Sequence, residues 1–212
     1  MELRNTKLEQ LFYIYHRNLK YRCPIQYLTK RGFNLQDLLS VGGGLAYLGE
    51  KQWLNLSLYN FNNQLVGFLS RKVGFEKKFL YLPINKPPSK SESFLGLKHL
   101  PTETNTIYLV EGDFDWLAFR KGGILNCLPL CGLTLSDKQM KFFQQSKIEK
   151  VVLCLDNDFA GKVAAANLER ILKNAGFQVK VVQLKGKVKD WNELLLLYPK
   201  NWAKALRDHL AL

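Results

Sequence analysis

The chain has 212 residues, a hydrophobic fraction of 47%, an aromatic fraction of 12% and a formal net charge of +13. That composition belongs to core-forming chains and excludes a disordered or fibrous one, and no apolar run approaches the ~20 residues of a membrane-spanning helix. The opening stretch MELRNTKLEQ has no apolar signal region, so a soluble, cytoplasmic protein with no membrane partner is expected.

The positive excess is +8 before Asn105 and +5 after it, and such a surplus suggests a polyanionic partner, with nucleic acid the leading candidate. In chain order, KLEQLFYIYHRNL carries apolar residues at helical spacing. CPIQYLTKRGF follows, with Pro24 suited to a helix start and Gly32 to a helix stop. NLQDLLSVGGGLAYL brings Gly42, Gly43 and Gly44; no Gly-Lys-Ser/Thr follows, so the triplet is not a phosphate-binding P-loop and reads as a flexible turn. WLNLSLYNFNNQLVGFLSRKV alternates apolar and polar residues around an Asn-rich break, the pattern of a hairpin. GFEKKFLYLPINKPPSKSESFLGL is rich in Pro, Ser and Lys and reads as an ordered connector rather than a core element. Its lysines are either a phosphate-tracking surface or simply solvated.

From about Asn105 strands alternate with helices. TIYLV, ILNCLPL, KVVLCL and QVKVVQL read as strands. DFDWLAFRKG reads as a helix stopped by Gly122 and Gly123, SDKQMKFFQQSK as one capped by Ser136, and AGKVAAANLERILKNAG as one ended by Gly176. WNELLLLYP and NWAKALRDHLAL finish as helices. This alternation implies an α/β fold with a mainly parallel sheet covered by helices on both faces. Cys23, Cys127, Cys131 and Cys154 lack zinc-site spacing and are expected as reduced thiols, and His16, His99 and His209 form no partner pattern.

Two of these strands end in acids. TIYLVEGDFDWL delivers Glu111, Gly112, Asp113 and Asp115; KVVLCLDNDFAG delivers Asp156 and Asp158. Ligands of parallel α/β sheets gather at the carboxyl ends of the strands, so both clusters point to one edge. Carboxylates converging without His or Cys suit a hard cation, Mg2+ or Mn2+. Taken alone, DND reads equally well as a helix cap or turn; two clusters at one edge of a basic protein favour metal. Gly112 and Gly161 would let phosphate or metal approach the backbone.

YLVEGDFDWLAF followed by VVLCLDNDFAGKVAA resembles the TOPRIM domain, with its Glu-Gly and Asp-x-Asp motifs. That domain occurs in bacterial DnaG-type primases, topoisomerases and some nucleases and recombination proteins. Further stretches are similar to the primases in particular: YLTKRGF, QLVGFLSRKV, KKFLYLP, KSESFLGL, LCGLTLS and GKVKDWNELL. The likeness covers nearly everything from Pro24 to about Leu197. It implies that Glu111, Asp156 and Asp158 hold catalytic metal, two ions in all, with Asp115 and Asp190 near them. It also implies that Arg71, Lys78 and Lys90 bind template and incoming nucleotide, and that Gly112, Gly132 and Gly161 are backbone glycines of the motifs.

Tyr81 and Asn192 depart from the primase pattern, standing where it has Asn and a second Asp; Asp113 stands where primases commonly carry a bulky apolar residue. DNDFAG and KDWNE are closer to TOPRIM proteins of plasmids and other mobile elements. The expected organisation is a basic α+β subdomain over residues 1–104, the TOPRIM domain over 105–186 and a helical segment over 187–212 packed on it. Neither a zinc ribbon before this core nor a helicase-binding domain after it is recognisable, so a helicase or a separate zinc-binding replication protein is an expected partner, beside single-stranded DNA and nucleoside triphosphates.

The function implied is primer synthesis by a DNA-dependent RNA polymerase core. A TOPRIM nuclease, and a non-catalytic nucleic-acid-binding module of a mobile-element replication complex, remain as alternatives.

Overall fold

The computed structural model describes residues 2–74 and 78–212; residues 75–77, part of the stretch read as a connector, lie outside the described residues. The chain divides into two units, Met1–His99 and Leu100–Leu212.

The first unit contains α1 (Glu2–Arg22), α2 (Ile25–Lys30), α3 (Leu35–Leu39), β1 (Gly44–Leu48), β2 (Lys51–Asn60), β3 (Leu65–Lys72), β4 (Phe79–Leu82) and β5 (Ser93–Leu95). The strands form an antiparallel sheet in the order β1-β2-β3-β4, with β5 paired to β2 as well. The Asn-rich break is a turn held by the Asn60 side chain, whose Oδ1 accepts from the N–H groups of Asn62 and Gln64. Helix α1 lays Leu8, Leu11, Phe12 and Tyr15 on Ala46, Trp53, Phe68 and Leu82 of the sheet. Helix α3 starts in a capping box between Asn34 and Asp37.

Two expectations are corrected here. Of the glycine triplet, Gly44 is not a flexible turn residue but the first residue of β1. A Cβ there would lie 2.6 Å from the Tyr15 Cβ, so the glycine lets the α1 backbone close onto the sheet. The Pro-rich stretch, read as a connector, contributes β4 and β5, and Leu82, Phe94 and Leu95 are buried. The strands are only 4 and 3 residues long, too short to show a period of two between prolines.

The second unit contains β6 (Thr106–Val110), α4 (Asp113–Lys121), β7 (Cys127–Pro129), α5 (Asp137–Gln144), β8 (Lys150–Cys154), α6 (Phe159–Asn174), β9 (Gln178–Val181), α7 (Trp191–Leu197) and α8 (Trp202–Leu210). Its sheet is parallel, in the order β7-β6-β8-β9, which is the α/β arrangement expected from the alternating pattern. The central strands are buried nearly throughout, Ile107 to Val110 on β6 and Val151 to Cys154 on β8, as continuous apolar runs in a covered parallel sheet must be.

Three indole N–H groups fasten the helices. Trp116 of α4 donates to the Cys127 carbonyl of β7 at 3.0 Å, Trp191 of α7 to the Cys154 carbonyl of β8 at 2.9 Å, and Trp202 of α8 to the Ala118 carbonyl of α4 at 2.6 Å. Each therefore satisfies a buried polar group while filling the core. Cys127 and Cys154 are buried, and Cys23 and Cys131 half-buried. Among the described residues no helix is long and apolar enough to cross a membrane.

The corrected connector has a direct check. Phe94 is 1% exposed and Ile84, in the same stretch, 60%. In urea unfolding, Phe94→Ala is expected to cost about 3–5 kcal/mol and Ile84→Ala less than about 0.5 kcal/mol.

Candidate active site

Strands β6 and β8 are parallel neighbours, and their register pairs Val110 with Cys154. Glu111 is the next residue after β6, and Asp156 follows β8 by two, so both arrive at the same carboxyl edge. The charge of Glu111 acts on the Asp156 carboxyl, and the Asp156 backbone lies close enough to ease the rise at Glu111. Both side chains are half-buried, and among the described residues no hydrogen-bond partner reaches the buried Glu111 Oε2 or Asp156 Oδ1. Burial and the adjacent Glu111 and Asp190 push the Asp156 carboxyl up to about 7. Glu111 is raised as well, by burial and by the charge of Asp158. Two bare carboxylate oxygens facing like charges are unfavourable as they stand, and a cation relieves both the desolvation and the repulsion.

The neighbouring acids are occupied differently. Asp158 is the N-cap of α6: its Oδ1 accepts from Gly161 N–H at 2.9 Å, and its Oδ2 lies 3.7 Å from Lys189 Nζ. Asp190 caps α7 through Glu193 N–H at 2.7 Å. Asp115 is fully buried and ties α4 to α7, its Oδ2 accepting from Gly112 N–H at 3.2 Å and its Oδ1 from Asn192 N–H at 3.0 Å. Burial, Asp190 and Asp156 raise the Asp115 carboxyl well above its ordinary range. Buried Asp113 accepts from the adjacent Phe114 N–H.

The resemblance implied that Glu111, Asp156 and Asp158 hold metal together. Among the described residues, however, no group of three or more His, Cys, Asp or Glu side chains is arranged to hold an ion as it stands. Asp158 in this arrangement spends one oxygen on the α6 start and faces Lys189 with the other. The donors nevertheless fit a hard divalent ion, because such an ion takes one or two carboxylates and completes its shell with water and phosphate. Glu111 and Asp156 would hold it, with Asp158 the third acid beside them.

Of the motif glycines, Gly161 has a packing reason: a Cβ there would lie 2.2 Å from the Asp156 carbonyl oxygen. The close approach is thus made by the chain's own acid loop rather than by a ligand. Gly112 opens α4, and Gly132 has open space around it, so no contact requires a glycine there.

The basic residues belong to the first unit. Arg71 lies on β3 opposite Phe79 of β4, its guanidinium 4.2 Å from that ring, and Lys90 Nζ stands 4.8 Å from the Tyr81 ring. Lys78, just before β4, is exposed, and Phe79 is 47% exposed. Arg71, Phe79 and Tyr81 share one face of the sheet by register.

Sequence reasoning passed over Asn157 and Lys189, which bind the acid loop to the loop before α7; the Asn157 N–H donates to the Lys189 carbonyl at 2.7 Å. The Lys-rich GKVKD spacing was the available signal, and nothing local in it identifies which lysine faces the acids.

A family model described as Toprim-like matches residues 108–195. MG010 of Mycoplasma genitalium, an uncharacterized protein, is 55% identical over 216 residues, covering 99% of this chain and 99% of that protein. The DNA primase of Mycoplasma pneumoniae is 34% identical over 164 residues, which are 75% of this chain but 26% of the primase, so the chain spans about a quarter of that relative. The solved zinc-binding and RNA polymerase domains of Aquifex aeolicus primase superpose with a TM-score of 0.80 at 20% identity, covering 98% of this chain and 60% of that one. At that identity the likeness is one of fold. The chain is accordingly a TOPRIM-domain protein resembling the catalytic core of DnaG-type primases, and it belongs to one family with MG010.

Proposed function

We propose that this chain is a primase-like nucleotidyltransferase, a DNA-dependent RNA polymerase core that makes short primers on single-stranded DNA with the help of divalent metal. The observation that carries the reading is the pair of bare, buried carboxylate oxygens on Glu111 and Asp156 at adjoining strand ends. Bound Mg2+ or Mn2+, two ions in this reading, supplies charge stabilisation for phosphoryl transfer and activation of the attacking hydroxyl.

The chain's own residues do the rest. Glu111 and Asp156 hold the acidic edge, while Asp158 and Asp190 fix the starts of α6 and α7 around it. Arg71, Lys78 and Lys90 hold phosphates of template or nucleotide, and Phe79 offers an exposed ring on which a base can stack.

One set of observations favours a second reading, a non-catalytic module that binds single strands. Asp115, Asp158 and Asp190 already serve backbone N–H groups, and Asn192 stands where the primase motif has an acid.

Incubation with single-stranded templates, ribonucleotides and Mg2+ or Mn2+ separates these. Template-dependent oligomers are expected, reduced on the order of 10³-fold in Asp156→Ala, the loss of several kcal/mol of transition-state stabilisation. Shortened template without synthesis would indicate a nuclease, and salt-sensitive binding with neither product the binding module.

Proton linkage gives an independent test. The Asp156 carboxyl, at about 7 when folded and near 4 when unfolded, keeps its proton in the folded state over that interval. The unfolded chain then binds fewer protons, so stability falls as pH rises from about 4 to about 7 and levels off above. In chelator, Asp156→Asn is therefore expected to melt a few degrees above the wild type at pH 8 and level with it at pH 4. Excess Mg2+ should raise the wild-type Tm more than that of the variant.

A further inference from the structure

The loop between β9 and α7 carries Lys185, Lys187 and Lys189, and one of them is placed against the acids by bonds that its own charge does not make. The Asn157 N–H donates to the Lys189 carbonyl at 2.7 Å. The Asn157 Nδ2 donates to the carbonyls of Val188 at 3.1 Å and Gly186 at 3.3 Å. From the other side, the Lys189 N–H donates to Glu193 Oε2 of α7 at 2.5 Å. The residue between the two aspartates thus staples the lysine loop to the acid loop.

The Lys189 ammonium stands 3.7 Å from Asp158 Oδ2, and its charge also acts on Glu111 and Asp156. The two paired side chains are 49% and 43% exposed, so the pair contributes little to stability and does not explain why the loop is fixed there. A half-exposed ammonium on a four-carbon stem can re-aim while its backbone stays in place.

We infer that Lys189 is an exchangeable counter-ion of this site: it balances Asp158 while the carboxylates hold no divalent ion, and it turns to phosphate oxygens of the substrate once such an ion takes the acids. The inference rests on the metal-dependent reading above. It makes Lys189 a phosphate contact and Asn157 a positioning residue. The driving force is a change of field. At this distance and exposure the ammonium is held only weakly by the carboxylate, so the contact is readily exchanged. A divalent ion on the same acids cancels that attraction and brings phosphate within reach, which lysine binds as a point charge.

Calorimetric titration of the full chain tests this, first with Mn2+ alone and then with inorganic triphosphate at saturating Mn2+. Lys189→Met is expected to bind Mn2+ about three- to tenfold more tightly, its competitor being gone, and triphosphate about tenfold more weakly. Lys189→Arg should leave both within about threefold of wild type, because the positive charge is kept. Lys187→Met, which removes an equal charge from the same loop, should leave both unchanged. A merely structural role for Lys189 would not move the two affinities in opposite directions. Unchanged or weaker Mn2+ binding in Lys189→Met, unchanged triphosphate binding, or the same pair of changes in Lys187→Met overturns the inference while wild-type Mn2+ binding preserves the metal reading. Absence of Mn2+ binding by the wild type overturns both.

Discussion

The adjoining ends of β6 and β8 put two acids, Glu111 and Asp156, side by side in a half-buried place, where burial and neighbouring acids raise both carboxyls. Neither acid can be moved away independently, because each leaves a strand whose register is set by five paired positions. The remaining features of the site answer that constraint. Asp156 keeps its proton up to about 7, Lys189 lends a positive charge, and one oxygen on each of Glu111 and Asp156 stays bare. A divalent ion at this edge would relieve both the desolvation and the repulsion.

The same constraint explains the packing around the edge. Helix α6 must begin directly after the acid loop, and it does so with Asp158 as its cap and Gly161 against the Asp156 carbonyl oxygen. A side chain at residue 161 would collide with the Asp156 backbone, so the acid loop or the helix start would have to shift. Helix α7 begins as close on the other side, capped by Asp190 and joined to α4 through Asp115. Three acids of the neighbourhood therefore have structural work, and Asp158 divides its oxygens, one on the helix and the other toward Lys189.

Much of the second unit was legible because its signals are local and strong: buried apolar runs of four residues in β6 and β8, N-caps such as Ser136, and stop glycines such as Gly176. The convergence of Glu111 with Asp156 was legible as well, since parallel strands in one sheet must end at one edge. The first unit was harder. β4 and β5 are too short and too interrupted by proline to show a period, and they are held by long-range pairing that no local pattern carries. Gly44 looked flexible because a glycine's tolerance for close contact and its freedom to turn have the same spelling. Within the site, the cap and ligand readings of DND could not be separated, since an aspartate at a helix start suits both. The place of Lys189 depends on the Asn157 amide reaching carbonyls about thirty residues away, which spacing alone does not show.

The hydrogen bond from the Asn192 N–H to Asp115 spans 77 residues of sequence and is wholly buried. An amide in that position can exchange with solvent only when the starts of α4 and α7 part, so its exchange rate measures the opening of the acidic edge itself. Asn192, whose side chain breaks the acidic pattern, thereby supplies through its main chain a built-in gauge of whether the site is closed.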